Sequence, residues 1–264
     1  MKIITLTTDF GCRDWFVGAM KGVILEIHPG ATIVDLTHEL EPGDLRGAAF
    51  ALLASYRFFP KGTVHVVVVD PGVGGPRPAL AVETSNYLFA APDNGVLSFA
   101  LANERIKAVH RLENAKFFRQ PVSRTFHGRD VFAPVAAHLA GGVPLRRFGS
   151  KQESCIRLDW PSVKVLEERV EGEIVHVDRF GNLITNLDAA SLRGFGDRPC
   201  EVFRGRNRLC PIAPFYGAVS VGRPLAVMGS TGFLEVAVNG ASAARRFGLR
   251  VGDRLSVRPW VKSR

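Results

Sequence analysis

The sequence predicts an α/β chain in two parts: an N-terminal α/β domain built on a mainly parallel central sheet, then a smaller β-rich domain. Three observations predict this. Strand-like and helix-like segments alternate from residue 3 to residue 69, which implies a parallel sheet with helices on its faces. The run Val64-His65-Val66-Val67-Val68-Val69 reads as a strand buried on both sides, because β-branched residues suit a pleated surface covered on both faces. After a Gly/Pro-rich, irregular stretch at 141–165, short β-rich segments recur with turns between them, the pattern of a small all-β barrel or sandwich. The domains are therefore placed at residues 1–160 and 168–264.

Residues 3–8 form the first expected strand, and Asp9-Phe10-Gly11 turns out of it. A helix is expected from near Asp14 to Ile27, with Trp15, Phe16, Ala19, Val23 and Ile27 at helical spacing. Pro29-Gly30 ends it. Residues 32–36 are a second strand, Asp44 opens a helix running to Phe58, and Pro60-Lys61-Gly62 turns into the valine-rich strand. Residues 79–84 and 87–91 read as a hairpin about Ser85-Asn86, and Pro92-Asp93-Asn94-Gly95 is a turn. Residues 125–140 read as a loop leading into a helix despite Pro134. Further strands are expected at 173–177, 183–187, 201–203, 224–228, 234–238 and 254–257.

The valine-rich strand ends at Asp70, where open α/β sheets place their ligands. Gly72, Gly74 and Gly75 then permit close or left-handed backbone, Pro71 and Pro76 stiffen the loop, and Arg77 follows. The same residues also make an ordinary capped turn with a surface ion pair. The loop is no dinucleotide fingerprint, since Pro76 and Pro78 bar a helix from opening there. Asp9 leaves the first strand on the same sheet edge, as a ribose-binding carboxylate or a helix N-cap. His127 lies in a polar loop beside Arg129 and Asp130, although a lone histidine is commonly structural.

In the second domain, Asp178 and Asn182 bracket a polar turn between strands, which a plain hairpin also explains. Residues 229–235 combine Ser230 and Thr231 with glycines, followed by Phe233 and Glu235. Backbone N–H groups and hydroxyls in such a loop can hold a carboxylate, while Asp178 or Glu235 can hold an ammonium. Tyr216 and Phe233 offer faces to a purine, or fill a core.

The chain has 264 residues and is 46% hydrophobic, enough for a sizeable core. The N-terminus reads as a strand and polar loop, not a signal peptide, and no apolar run reaches the ~20 residues of a membrane span. A cytoplasmic protein is expected, with Cys12, Cys155, Cys200 and Cys210 as free thiols. No C-x-x-C or H-E-x-x-H motif is present, so no metal site is expected. The net charge of +9 suits an anionic partner, but the basic residues are scattered and no nucleic-acid partner is expected.

Taken in order, TTDFG at 7–11, DPGVG at 70–74 with Arg77, APDNG at 91–95, TFHGRD at 125–130, DRFGN at 178–182, TN at 185–186 and GFLEVAVN at 232–239 resemble one family. It is the S-adenosyl-L-methionine (SAM) hydroxide adenosyltransferases, SAM hydrolases distantly related to fluorinating and chlorinating enzymes. The resemblance covers essentially the whole chain. It implies an N-terminal α/β domain and a C-terminal β-barrel, a homotrimer with active sites between subunits, and hydrolysis of SAM to adenosine and L-methionine without metal or redox cofactor. It implies that Asp70, Arg77 and His127 are the catalytic triad, with either Asp70 or His127 as formal base. It also implies that Asp9 binds the ribose, that Asp178 and Ser230 hold the methionine end, and that Asn182, Tyr216, Val238 and Gly240 lie near the adenine. Phe233 and Glu235 fall in the same ligand region. The halogenating relatives carry uncharged residues where this chain has Asp70 and His127. That favours water as nucleophile over the alternatives of a SAM-dependent halogenase or a non-catalytic adenosine, SAM or RNA binding module.

Overall fold

The computed structural model describes residues 2–260 and divides into two compact units, Met1–Asp159 and Trp160–Arg264. In the first unit, β1 (Ile3–Thr8), α1 (Phe16–Ile27), β2 (Thr32–Thr37), α2 (Leu45–Ser55) and β3 (Val64–Val68) follow one another. Then come β4 (Ala79–Thr84), β5 (Leu88–Pro92), the short α3 (Ser98–Leu101), β6 (Ile106–Arg111) and α4 (Ala133–Ala140). The sheet order is β2-β1-β3-β5-β4-β6. The β2, β1, β3 and β5 strands are parallel, and β4 is antiparallel to β5 and β6.

The valine run behaves as its composition dictates. Val64, Val66 and Val68 enter a cluster with Met20, Ile24, Val135 and Leu139 from α1 and α4. Val67 and Val69 enter another with Ala48 and Leu52 of α2 and Leu101 of α3. Each buried valine contributes roughly 1.5–3 kcal/mol, so β3 anchors both layers. Alternation along the strand explains why a continuous apolar run is needed.

Several boundaries differ from the sequence reading. Helix α1 starts at Phe16, with Trp15 at the cap position and no side-chain cap. Asp44 does cap α2, its carboxylate accepting from Gly47 N, but the helix ends at Ser55 and Tyr56–Phe58 is a 3-10 turn. Residues 128–132 form a π-helical turn ahead of α4, and Pro134 sits in α4's first turn, where a missing N–H is tolerated. Strand β6 and helix α3 were not anticipated.

The second unit contains β7 (Lys164–Val165), β8 (Val170–Val177), β9 (Leu183–Asp188), β10 (Cys200–Arg204), β11 (Asn207–Pro211), β12 (Pro224–Met228), β13 (Phe233–Val238), α5 (Ala243–Phe247) and β14 (Arg254–Pro259). Antiparallel pairing runs β11-β10-β14-β8-β9-β13-β12, with β7 added on β8. A bridge from Ile212 to Ala226 links the ends of that path, so the sheet is a nearly closed barrel around Ile174, Leu183, Val202, Leu234, Val236 and Leu255.

Candidate active site

In the first unit β1 leads by α1 to β2 on one side, and β2 leads by α2 to β3 on the other. The strand order thus reverses at β1/β3, and a crevice opens beyond the carboxyl ends there. Asp9 and Asp70 flank it, and a cavity of about 510 Å³ is lined by both, by His127, and by Phe10, Phe16 and Phe126. Asp9 does not cap α1. Its Oδ2 accepts from Gly43 N at 2.8 Å, which aims the carboxylate and leaves Oδ1 for a ligand.

Arg77 joins the two sides of the cavity. Its Nε donates to Asp70 Oδ1 at 3.1 Å and Oδ2 at 2.9 Å, and its Nη2 donates to Asp70 Oδ2. The same Nη2 lies 2.8 Å from His127 Nδ1. A guanidinium has no lone pair to give, so Nδ1 is the acceptor and the hydrogen of the neutral ring is on Nε2. Burial, then the Arg77 charge, hold His127 below its usual range, against opposing pulls from Asp70 and Asp130. Both members of the ion pair are nearly buried, with side-chain exposures of 13% for Arg77 and 4% for Asp70. The Arg77 guanidinium carbon also sits 5.6 Å from the centroid of Phe132.

Local sequence explains how these groups meet. Gly74 has φ +76°, and a Cβ there would lie 2.1 Å from Arg124 O. Only glycine lets the 70–77 loop press against the loop that carries His127. That second loop is held by Asp130, fully buried, whose carboxylate takes Arg129 Nε at 2.7 Å, Arg129 Nη2 at 2.9 Å and Ser123 N at 2.8 Å. Burial pushes the Asp130 carboxyl up, but Arg129 and the Ser123 N–H outweigh it and hold it low. Asn94 stands in the sequence as part of a turn and of the APDNG motif, with no role of its own. Its Nδ2 donates to Val69 O at 2.9 Å and fixes the strand end that presents Asp70.

The second unit holds a separate cavity of about 850 Å³, and Asp178, Asn182, Tyr216, Ser230, Glu235, Val238 and Gly240 all line it. Phe233 lies outside: its ring packs 5.3 Å from that of Trp160. A register shift between Phe233 and Glu235 breaks the two-residue alternation that would put ring and carboxylate on one face. Asp178 is a turn residue as well as a lining one. Its Oδ1 accepts from Phe180 N at 2.9 Å and Asn182 N at 2.8 Å, and its Oδ2 takes Asn182 Nδ2 at 3.0 Å. Tyr216 Oη donates to Glu235 Oε1. Burial, then the Asp178 charge, push the Glu235 carboxyl up. Phe180, 77% exposed, and Arg245 also line the cavity. The DRFGN motif contained the signal for Phe180, since a bare aromatic in a polar turn has no packing reason to be there.

Among the described residues no group of three or more His, Cys, Asp and Glu side chains could hold a metal ion. No helix there is long and apolar enough to cross a membrane.

Comparison with known proteins adds two matches to family models. The SAM hydroxide adenosyltransferase N-terminal domain matches residues 4–149, and the C-terminal domain of that family matches residues 172–256. A protein of Thermus thermophilus named (R)-S-adenosyl-L-methionine hydrolase is 40% identical over 96% of this chain and 98% of its own. One of that name from Salinispora tropica is 39% identical over 96% and 97%. A fluorinase from an Actinoplanes species is 28% identical over 97% of both chains. Among solved structures, an uncharacterized conserved protein from Thermotoga maritima superposes with a TM-score of 0.91 at 38% identity, covering 98% of this chain and 100% of that one.

Proposed function

The chain belongs to the SAM hydroxide adenosyltransferase family, and on that premise we propose that it hydrolyses S-adenosyl-L-methionine to adenosine and L-methionine. Because the most similar relatives reported above are named for the (R) form, we propose the (R)-sulfonium epimer as the preferred substrate. The observation that carries the reading is the Asp70–Arg77–His127 cluster beside Asp9 in one crevice.

Water oxygen bonds to the ribose 5′-carbon, the carbon–sulfur bond breaks, and its electron pair leaves on the methionine sulfur. One proton of the water must go to a base. His127 Nδ1 is engaged by Arg77, so its Nε2–H is a donor towards the incoming oxygen. That leaves Asp70 as the acceptor of the proton. Arg77 holds the Asp70 carboxylate in place and, with His127, stabilises hydroxide character as the bond forms. Charge is neutralised as hydroxide meets sulfonium, so the phenylalanine-lined wall favours the step by excluding bulk water. Much of the acceleration is positioning of water, carbon and sulfur in line, for which Asp9 grips the ribose.

In the same reading Asp178 and Ser230 hold the methionine ammonium and carboxylate. Asn182, Tyr216 and the backbone at Val238 and Gly240 hold the adenine. The complete site forms in a homotrimer, between the N-terminal domain of one subunit and the C-terminal domain of its neighbour. The protein is cytoplasmic, uses no metal or redox cofactor, and takes SAM rather than nucleic acid as its partner. The test is to incubate purified protein with each SAM epimer and follow adenosine and methionine by chromatography. Release of both in equal amounts without halide is the expected result. No consumption of either epimer, or consumption only with halide, would sink it.

A further inference from the structure

Beside the crevice lies a second polar cluster. Thr8, the last residue of β1, is fully buried, and its Oγ1 lies 2.8 Å from Nδ1 of His38, which is 2% exposed. His38 Nε2 lies 3.0 Å from Asp35 Oδ1, an electrostatic contact rather than an aligned hydrogen bond. The other oxygen of Asp35 takes Lys21 Nζ at 2.5 Å. A carboxylate oxygen so near Nε2 requires the hydrogen there, so Nδ1 is bare and the Thr8 hydroxyl donates to it. The Thr8 oxygen in turn accepts Phe10 N at 3.2 Å. Two further bonds tie the same loops: Gly11 N to His38 O at 2.7 Å and Cys12 N to Glu39 Oε1 at 3.1 Å.

Asp9 is the residue between these ties. The hydroxyl of the residue before it and the N–H of the residue after it share one oxygen, and His38 orients that oxygen. The line Lys21–Asp35–His38–Thr8 crosses three adjacent elements, α1, β2 and β1, and ends at the backbone that carries the Asp9 carboxylate. Lys21 and Asp35 lie at the partly exposed end of this line and Thr8 and His38 at its buried end; packing alone does not call for a buried hydroxyl–imidazole pair there, since apolar residues of similar volume serve as well. We propose that Thr8 and His38 are positioning residues for Asp9, setting the angle at which its carboxylate receives the ribose hydroxyls. This rests on the reading of Asp9 as the ribose-binding residue.

The test is a cycle between protein and ligand, read as Kd by calorimetry for adenosine and for 2′,3′-dideoxyadenosine. Thr8→Val keeps the shape of the strand residue and removes the hydroxyl; Thr8→Ser restores it; His38→Gln shortens the chain of contacts. Thr8→Val and His38→Gln are expected to weaken adenosine binding about 3–10-fold, the range of one hydrogen bond, and to change dideoxyadenosine binding less than about twofold. Thr8→Ser is expected to bind both as the wild type does. Equal weakening for both nucleosides, or none for either, would overturn the inference. If Asp9→Asn also treats the two nucleosides alike, the ribose role of Asp9 fails and the inference falls with it. Absence of SAM hydrolysis alongside the expected binding pattern would refute the proposed reaction and leave this inference standing.

Discussion

Arg77 Nη2 stands 2.8 Å from His127 Nδ1 while the same guanidinium holds Asp70. One arginine thereby bridges a carboxylate and an imidazole, and it donates to both. Protonating His127 would remove the acceptor Arg77 donates to and set two cations side by side. The lowered pKa of His127 therefore keeps the neutral ring present to a lower pH than an ordinary histidine. In Arg77→Met the second cause of the depression disappears, so the His127 titration should move to higher pH. Its kcat should also fall by about 10²-fold or more. An NMR titration of the ring protons in both proteins reads the first effect, and an unchanged titration would contradict the arrangement.

Gly74 offers a backbone test of the same cluster. Any Cβ there collides with Arg124 O and must adopt a positive φ. Gly74→Ala should lower kcat strongly and cost about 1–3 kcal/mol of stability, whereas Gly62→Ala, also at positive φ but with nothing within 4 Å, should leave kcat alone. Turnover and thermal unfolding of the two variants decide it.

In the barrel domain, Tyr216 and Glu235 share a hydrogen bond inside the cavity. Tyr216→Phe strips a buried carboxyl of its donor, so KM should rise about 3–10-fold with little change in kcat. Glu235→Gln, which keeps an acceptor for the tyrosine, should do less. Steady-state kinetics with SAM measure both, and a loss confined to kcat would go against a binding role.

His65 makes the fold sensitive to acid. It is fully buried, its ring nitrogen 2.7 Å from Thr5 Oγ1, and burial pushes its pKa down to about 3. The unfolded chain, with histidine near 6.5, binds the extra proton first. Stability therefore falls as pH drops from about 6.5 towards 3, by roughly 3 kcal/mol at pH 4.5. Urea unfolding at pH 7.5 and 4.5 should show that loss in the wild type and a smaller one in His65→Gln.

Much of this architecture was legible because single residues carry strong local physics. The valine run predicted β3 since a strand buried on both faces must be apolar throughout. Asp9 and Asp70 stood out because both follow strands at their carboxyl ends. Strand β6 was not legible: Lys107, His110 and Arg111 break its apolar pattern, which an edge strand tolerates. Helix α3 is four residues long, too short for any period to register. The π-helical turn at Gly128–Phe132 is tied to the chain before it, Ser123 N donating to Asp130 Oδ2 and Arg119 N to Asp130 O, and no local period reveals that. That the Phe233 ring packs on Trp160 and does not line the cavity was not legible, because a strand bulge cannot be seen in the alternation it interrupts. The link from His38 through Thr8 joins residues 30 apart in sequence, and only the parallel pairing of β1 with β2 brings them together.

The most direct test of the central claim is the fate of oxygen when the purified protein turns over SAM in water enriched in heavy oxygen. Mass spectrometry should find one label in adenosine and none in methionine, with label incorporation lost in Asp70→Asn. Labelled methionine, or unlabelled adenosine, would contradict attack of water at the ribose 5′-carbon.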